Sequence, residues 1–173
     1  MANHFALQPG RTAVVTGAAS GIGLAAARRF AQLGMRVCLA DLGGEALDRA
    51  LTVVAGDAPG GAAAVIAVAT DVSRLAEVQA LKDAAYASFG EVAVLMNNAG
   101  TAPGGGPWEH IDRWRRVLEV NLWGVINGVQ TFSPAMIAQR TPCAIVNTGS
   151  KQGITCPPGD TAYNVSKIGR AHV

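Results

Sequence analysis

Short apolar runs alternate with longer amphipathic stretches along this chain. Residues 12–16, 36–40, 64–69, 92–96 and 143–147 are compact runs rich in Val, Ala, Leu and Ile, with little of the in-out alternation of a half-exposed strand. That pattern predicts strands buried on both faces. Between them, residues 24–33, 45–55, 73–89, 108–116 and 117–139 carry apolar side chains at helical spacing, and a last helix holds Tyr163. Gly34 and Gly90 stop two of these helices, and Ser73, with Glu77 four residues on, is expected to start the third. Residues 57–61 read as a turn, and 101–107 and 154–159, rich in Gly and Pro, as loops.

Strands that alternate with helices predict βαβ units and a parallel sheet. Right-handed crossovers with one reversal after the third strand give an α/β, doubly wound (Rossmann) sheet of order 3-2-1-4-5. In such a sheet ligands bind beyond the C-terminal ends of the strands. Gly17, Asp41, Asp71, Asn97 and Ser150 all fall at those ends, so the chemistry is expected along one edge.

Three local patterns say what that edge could do. Gly17-Ala-Ala-Ser20-Gly21-Ile22-Gly23 lies between the first strand and the first helix. Glycines there permit a sharp turn, and backbone N–H groups at a helix N-terminus suit a pyrophosphate. Asp41 ends the second strand about 20 residues on, where a carboxylate can bond the adenosine ribose hydroxyls and repel a 2′-phosphate. NAD is therefore expected over NADP, without excluding the latter; Asp41 can also cap the helix that follows. Tyr163 and Lys167 sit one helical turn apart. A neighbouring ammonium favours the phenolate, lowering a tyrosine pKa from about 10 toward neutrality and suiting it to proton transfer with an alcohol or carbonyl.

Composition narrows the partners. The chain has 173 residues, 50% hydrophobic and 15% charged, with 21 glycines and a formal charge of +2. No basic stripe points to nucleic acid or an anionic membrane. No run is long and apolar enough for a membrane-spanning helix, and the first ten residues do not read as a signal peptide. Cys38, Cys143 and Cys156 are far apart without metal-ligand spacing, so no metal is expected. They read as buried free thiols in a cytoplasmic protein.

Taken with their order, these motifs resemble the short-chain dehydrogenase/reductase family, over residues 10–167. Thr16-Gly17-x-x-x-Gly21-x-Gly23 matches its glycine motif, Asp71-Val72 its pair after the third strand, and Asn97-Asn98-Ala99-Gly100 its Asn-Asn-Ala-Gly motif. Asn121, Ser150, Tyr163 and Lys167 match its catalytic positions. The resemblance implies hydride transfer between a nicotinamide and an alcohol or ketone substrate, with Tyr163 as acid/base. Lys167 would tune Tyr163 and bond the nicotinamide ribose, Ser150 would hold the substrate oxygen, and Asn121 would place a relay water behind Lys167. Gly17, Ser20, Gly21, Ile22 and Gly23 would cradle the cofactor, with Asp41 on the ribose. Asp71 and Val72 would meet its adenine, and Asn98, Ala99 and Gly100 would line its loop. Ser150 as a strand-end cap and Asn121 as a backbone partner at a helix kink are the structural alternatives. Trp108, Trp114 and Trp123 are expected in packing or interfaces.

The chain departs from the family at its end. Relatives add further strands and a substrate-covering loop, and form homodimers or homotetramers through the Asn121 and Tyr163 helices. Residues 168–173, Ile-Gly-Arg-Ala-His-Val, coincide with a translated reading frame of a common sequencing-library adapter. They are expected to be a non-native tail on an incomplete dinucleotide-binding domain, residues 1–167, and this chain is expected to fold poorly or lack activity. A non-catalytic dinucleotide-binding fragment and a 3-oxoacyl thioester reductase are the alternative functions; the second usually carries a basic residue where Ala19, Ser20 and Leu42 stand.

Overall fold

The structure is a computed structural model that describes residues 4–102, 104–108 and 110–168. Its centre is a parallel sheet of β1 (Thr12–Thr16), β2 (Arg36–Asp41), β3 (Val65–Ala69), β4 (Val94–Asn97) and β5 (Ala144–Asn147). The order is β3-β2-β1-β4-β5, as the alternation predicts. β1 pairs β2 with Val14 opposite Cys38, and pairs β4 with Val14 opposite Leu95.

Alternate strand residues build a core on each face. On one, Val14, Cys38, Ala40 and Leu95 pack against Val78, Leu81 and Ala85 of α3 (Leu75–Phe89) and Phe132 and Met136 of α5 (Gly124–Ala138). On the other, Val15, Val37 and Leu39 meet Ala27 and Ala31 of α1 (Gly21–Gln32) and Leu47, Ala50 and Val54 of α2 (Glu45–Asp57). Leu39, Leu81, Leu95 and Phe132 are fully buried, each worth about 1.5–3 kcal/mol of transfer free energy.

Several local expectations are revised. The turn expected at residues 57–61 begins inside α2 and continues into a 3-10 turn, Gly61–Ala64. The fourth strand starts two residues later and ends one residue later than the apolar run 92–96 that suggested it. Ser73 does not cap α3; Arg74 is the N-cap, and the Ser73 hydroxyl donates instead to Asp71 Oδ1 at 2.6 Å. The helix expected from Trp108 begins at Ile111 as α4 (Ile111–Leu118), because His110 takes a left-handed φ of 37° that a helix cannot propagate through. Trp108 packs against nothing extensive, being 94% exposed.

The single helix expected over 117–139 is split by a π-helical turn, Glu119–Trp123. The extra residue of that turn accompanies a fully buried Asn121 whose side chain bonds elsewhere than its own helix. Part of the loop expected after Ile154 is a short helix, α6 (Gln152–Thr155), that starts just after Ser150. Cys38 is buried, but Cys143 is half-buried and Cys156 exposed, so the reading of three buried thiols is corrected. The last described helix is α7 (Thr161–Ile168). Apart from Ile168, the expected tail at 168–173 lies outside the described residues.

Candidate active site

A cleft of about 630 Å³ lies along the C-terminal edge of the sheet. One end is the glycine turn. Gly17 and Gly21 have φ of 67° and 52°, values that a side chain strains. A Cβ at Gly17 would lie 2.8 Å from Ala99 Cα, and one at Gly23 would lie 2.0 Å from the Gly17 carbonyl oxygen. Glycine is thus needed at 17 for conformation and contact, and at 23 because the α1 backbone presses on the turn. Ser20, the N-cap of α1, makes no side-chain cap bond, and the first turn carries no acid. Its N–H groups lie at the cleft with Ser20, Gly21 and Ile22 in the wall.

The floor is sewn by Thr16 and Asn98. Thr16 Oγ1 accepts the Asn98 and Ala99 N–H groups at 3.0 and 3.1 Å. The Asn98 amide donates to the Thr16 and Gly17 carbonyls at 3.1 and 3.3 Å and accepts from Thr148 Oγ1 at 3.2 Å. Asn97, buried behind them, donates to Asn147 Oδ1 at 3.0 Å across β4 and β5. The two asparagines thereby serve the sheet edge and the loop.

Beside the glycine turn Asp41 lines the cleft, and its carboxylate accepts N–H bonds from Ala19 and Leu42, each at 2.8 Å. It does not cap α2, whose N-cap is Gly44. Asp71 and Val72 line the same end. Asp71 accepts from Ser73 and from the Arg116 guanidinium, the latter at 3.1 Å. Burial pushes the Asp71 carboxyl up, but the bonds from Ser73 and Arg116 outweigh it and hold the group below its ordinary value.

Tyr163, Lys167 and Ser150 line the opposite end. Lys167, 3% exposed, holds its ammonium 5.2 Å from the centre of the Tyr163 ring and donates to the Thr148 carbonyl at 3.4 Å. Ser150 Oγ accepts the Gln152 N–H at 3.2 Å just ahead of α6, whose N-cap is Lys151, and Ser150 stands in the cleft wall. A hydroxyl that accepts one bond still has its own hydrogen to donate.

Asn121 is not in the wall. Its amide nitrogen donates to the Thr101 carbonyl at 2.9 Å and to Ser166 Oγ at 3.0 Å, and its oxygen accepts the Thr101 N–H at 2.8 Å. This is the backbone-satisfying role, at the π-helical turn. Gly100 stands between Asn121 and Lys167: a Cβ there would lie 3.3 Å from Asn121 Oδ1 and 3.8 Å from Lys167 Nζ. Gly23 too lies behind the wall, so of the expected residues these two shape the cleft from outside it.

Arg116, Thr148 and Ser166 were not singled out in the sequence, and Thr16 was named only as the first residue of the glycine motif. Thr148 follows a strand end, the signal that marks Ser150. Arg116 reaches Asp71 across 45 residues of chain, and no local pattern reports such a pairing. Among the described residues no cluster of His, Cys, Asp or Glu could hold a metal ion, and no helix is long and apolar enough to cross a membrane.

A doubly wound sheet thus carries a glycine turn, a strand-end acid and a Tyr–Lys pair along one cleft. The short chain dehydrogenase family model matches residues 11–173, and the chain belongs to that family. It is 39% identical to a 1-deoxy-11-beta-hydroxypentalenate dehydrogenase of Streptomyces exfoliatus, over 91% of this chain and 57% of that protein. It is 40% identical to 3beta-hydroxysteroid dehydrogenase 1 of Eggerthella lenta, over 92% and 60%. A short chain dehydrogenase/reductase from Burkholderia phymatum, solved in complex with NAD, superimposes with a TM-score of 0.89 at 43% identity, covering 96% of this chain and 57% of that one. The chain thus spans 57–60% of the length of these relatives.

Proposed function

We propose that this chain carries the cofactor cleft and proton-transfer group of an NAD(P)-dependent oxidoreductase acting on an alcohol or ketone. The observation that carries it is the Lys167 ammonium 5.2 Å from the Tyr163 ring, in the cleft that also holds the glycine turn and Asp41.

The residues present fit a dinucleotide. The uncapped N-terminus of α1 suits a pyrophosphate. The absence of side chains at Gly17 and Gly23 lets the turn close against Ala99 and α1. The Asp41 carboxylate suits ribose hydroxyls and repels a further phosphate, which favours NAD; Ala19, Ser20 and Leu42 supply no cation beside it. The NAD complex of the Burkholderia phymatum relative is in keeping with that preference. When bound, the dinucleotide supplies or accepts the hydride.

Tyr163 gives its hydroxyl proton to a carbonyl oxygen during reduction and takes it back during oxidation. Ser150 donates its hydroxyl hydrogen to the same oxygen and steadies developing charge. Lys167 anchors on the Thr148 carbonyl and places a positive charge beside Tyr163, from where it would bond the nicotinamide ribose. Asn121 and Ser166 hold α7, and so Tyr163, against the π-helical turn.

Half-exposed Leu122 and Trp123 on the π-helical turn support a homodimer or homotetramer built on this face, and the unlinked thiols support a cytoplasmic protein. The test is direct. Purified protein is titrated with NADH and NADPH and assayed on a panel of secondary alcohols and ketones. Hydroxysteroids and hydroxypentalenate head the panel, since two relatives are named for them. Turnover that favours NAD+ with alcohols, or NADH with ketones, over the 2′-phosphorylated counterpart and is lost in Y163F supports the reading; no dinucleotide binding refutes it.

A further inference from the structure

Asp41 does more than stand at the ribose end of the cleft. The β1–β2 ladder ends with Thr16 opposite Ala40. Beyond it the chain turns away through Gly17, yet two more bonds tie it back to β2. Ala18 N–H donates to the Ala40 carbonyl at 3.1 Å, and Ala19 N–H donates to Asp41 Oδ2 at 2.8 Å. The carboxylate thus extends the ladder by one rung that the backbone cannot supply. Its other oxygen accepts the Leu42 N–H at 2.8 Å, which fixes the side chain's direction. Asn98 holds the opposite side of the turn through the Gly17 carbonyl. The anchored turn and the residues just after it carry two left-handed glycines, 17 and 21, and a Ser20 that makes no side-chain cap. Such a segment has large conformational freedom to lose.

Building on the dinucleotide reading, we propose that Asp41 is a positioning residue for the glycine turn, so that one carboxylate sets both the choice of dinucleotide and the shape of the pyrophosphate cradle. Both functions fit on the group. A carboxylate has about four lone-pair sites, and two are used by Ala19 and Leu42. The remaining two face no described partner and suit a pair of ribose hydroxyls. The consequence is that removing Asp41 to admit a 2′-phosphate also unlatches the turn on which every dinucleotide rests.

The experiment separates the two functions with a probe that lacks one of them. Reduced nicotinamide mononucleotide has a phosphate but no adenosine ribose. Binding of NADH and of this mononucleotide is measured by fluorescence in wild type, D41A, D41S and D41N. The exchange rate of the Ala19 amide is measured by NMR in the ligand-free proteins. Loss of one charge-assisted bond predicts mononucleotide binding weaker by about tenfold in D41A and D41S, and Ala19 exchange faster by at least about tenfold. NADH binding falls further, on the order of 100-fold, because the ribose contacts go as well. D41N keeps one neutral acceptor oxygen for the two N–H groups of Ala19 and Leu42, so its Ala19 protection and mononucleotide binding are expected to fall between those of wild type and D41A.

Mononucleotide affinity and Ala19 exchange unchanged in D41A or D41S would overturn the proposal, even with NADH binding impaired. An Ala19 amide that already exchanges freely in wild type overturns it without any variant. Wild-type protein that binds neither probe sinks the dinucleotide reading, and the Ala19 exchange rates still decide the latch.

Discussion

Asn121 Nδ2 donates to Ser166 Oγ at 3.0 Å, and Ser166 passes the contact on by donating to the Tyr163 carbonyl at 2.7 Å. A π-helical turn and the helix bearing the Tyr–Lys pair are therefore locked by buried polar groups. Removing the Asn121 amide strands the Thr101 N–H and carbonyl as well. N121A is expected to destabilise the protein by about 2–4 kcal/mol, and S166A by about 1 kcal/mol. Urea unfolding checks both, and S166A should retain dinucleotide binding while lowering kcat.

Gly23 and Gly21 lie two residues apart and differ in what surrounds them. A Cβ at Gly23 meets backbone 2.0 Å away, whereas one at Gly21 meets nothing within 4 Å but sits at a φ of 52°. G23A is expected to cost more than about 3 kcal/mol and abolish dinucleotide binding, while G21A costs only about 1 kcal/mol of strain. Thermal melts with and without NADH distinguish the two.

Tyr163 is half-exposed at the cleft and its ring carries no bond that the fold depends on. Y163F is therefore expected to lower kcat by about 10²- to 10⁴-fold with the melting temperature and NADH affinity nearly unchanged. A matching fall in stability would place Tyr163 among structural residues instead.

Asp71 has a folded pKa below its ordinary value, because Ser73 and Arg116 outweigh burial. A depressed carboxylate contributes stability that is fully present above its unfolded pKa near 3.9 and is lost as pH falls through the folded value. With Arg116 45% exposed in this pair, the contribution is expected at about 0.5–1 kcal/mol. Urea midpoints of wild type and R116A should differ at pH 6 and converge as pH falls through the folded Asp71 value.

Burial pushes the Cys38 thiol up to about 12, whereas Cys156 is exposed. Iodoacetamide at pH 8 is expected to alkylate Cys156 readily and leave Cys38 unmodified until the protein unfolds. Mass spectrometry of the native and urea-treated protein reads both.

The strands and most helices were legible because each depends on local patterning: uninterrupted aliphatic runs for β1 to β5, glycine stops after α1 and α3. The strand order followed from connection rules. Long-range polar contacts were not legible. The π-helical turn exists where a buried Asn121 bonds Thr101 and Ser166, neither within its own helix. The late start of α4 follows from the His110 backbone, which no residue preference announces. Of the site, the motif residues converge on one edge as their strand-end positions imply. Asn121 and Gly23 act from behind the wall, and the Arg116 contact with Asp71 joins segments whose sequences carry no trace of each other.

Thr16 is a single hydroxyl that holds Asn98 and Ala99 to the end of β1 and leans its own hydrogen toward the Met96 carbonyl at 3.4 Å. Two segments of chain, the end of β1 and residues 96–99, meet at that oxygen. The cleft floor is accordingly rigid before any ligand arrives, and association need not order it. Calorimetry should show a small entropic penalty for dinucleotide binding, and T16V, which keeps the shape but loses the hydroxyl, should enlarge that penalty while leaving every residue in direct reach of the ligand untouched.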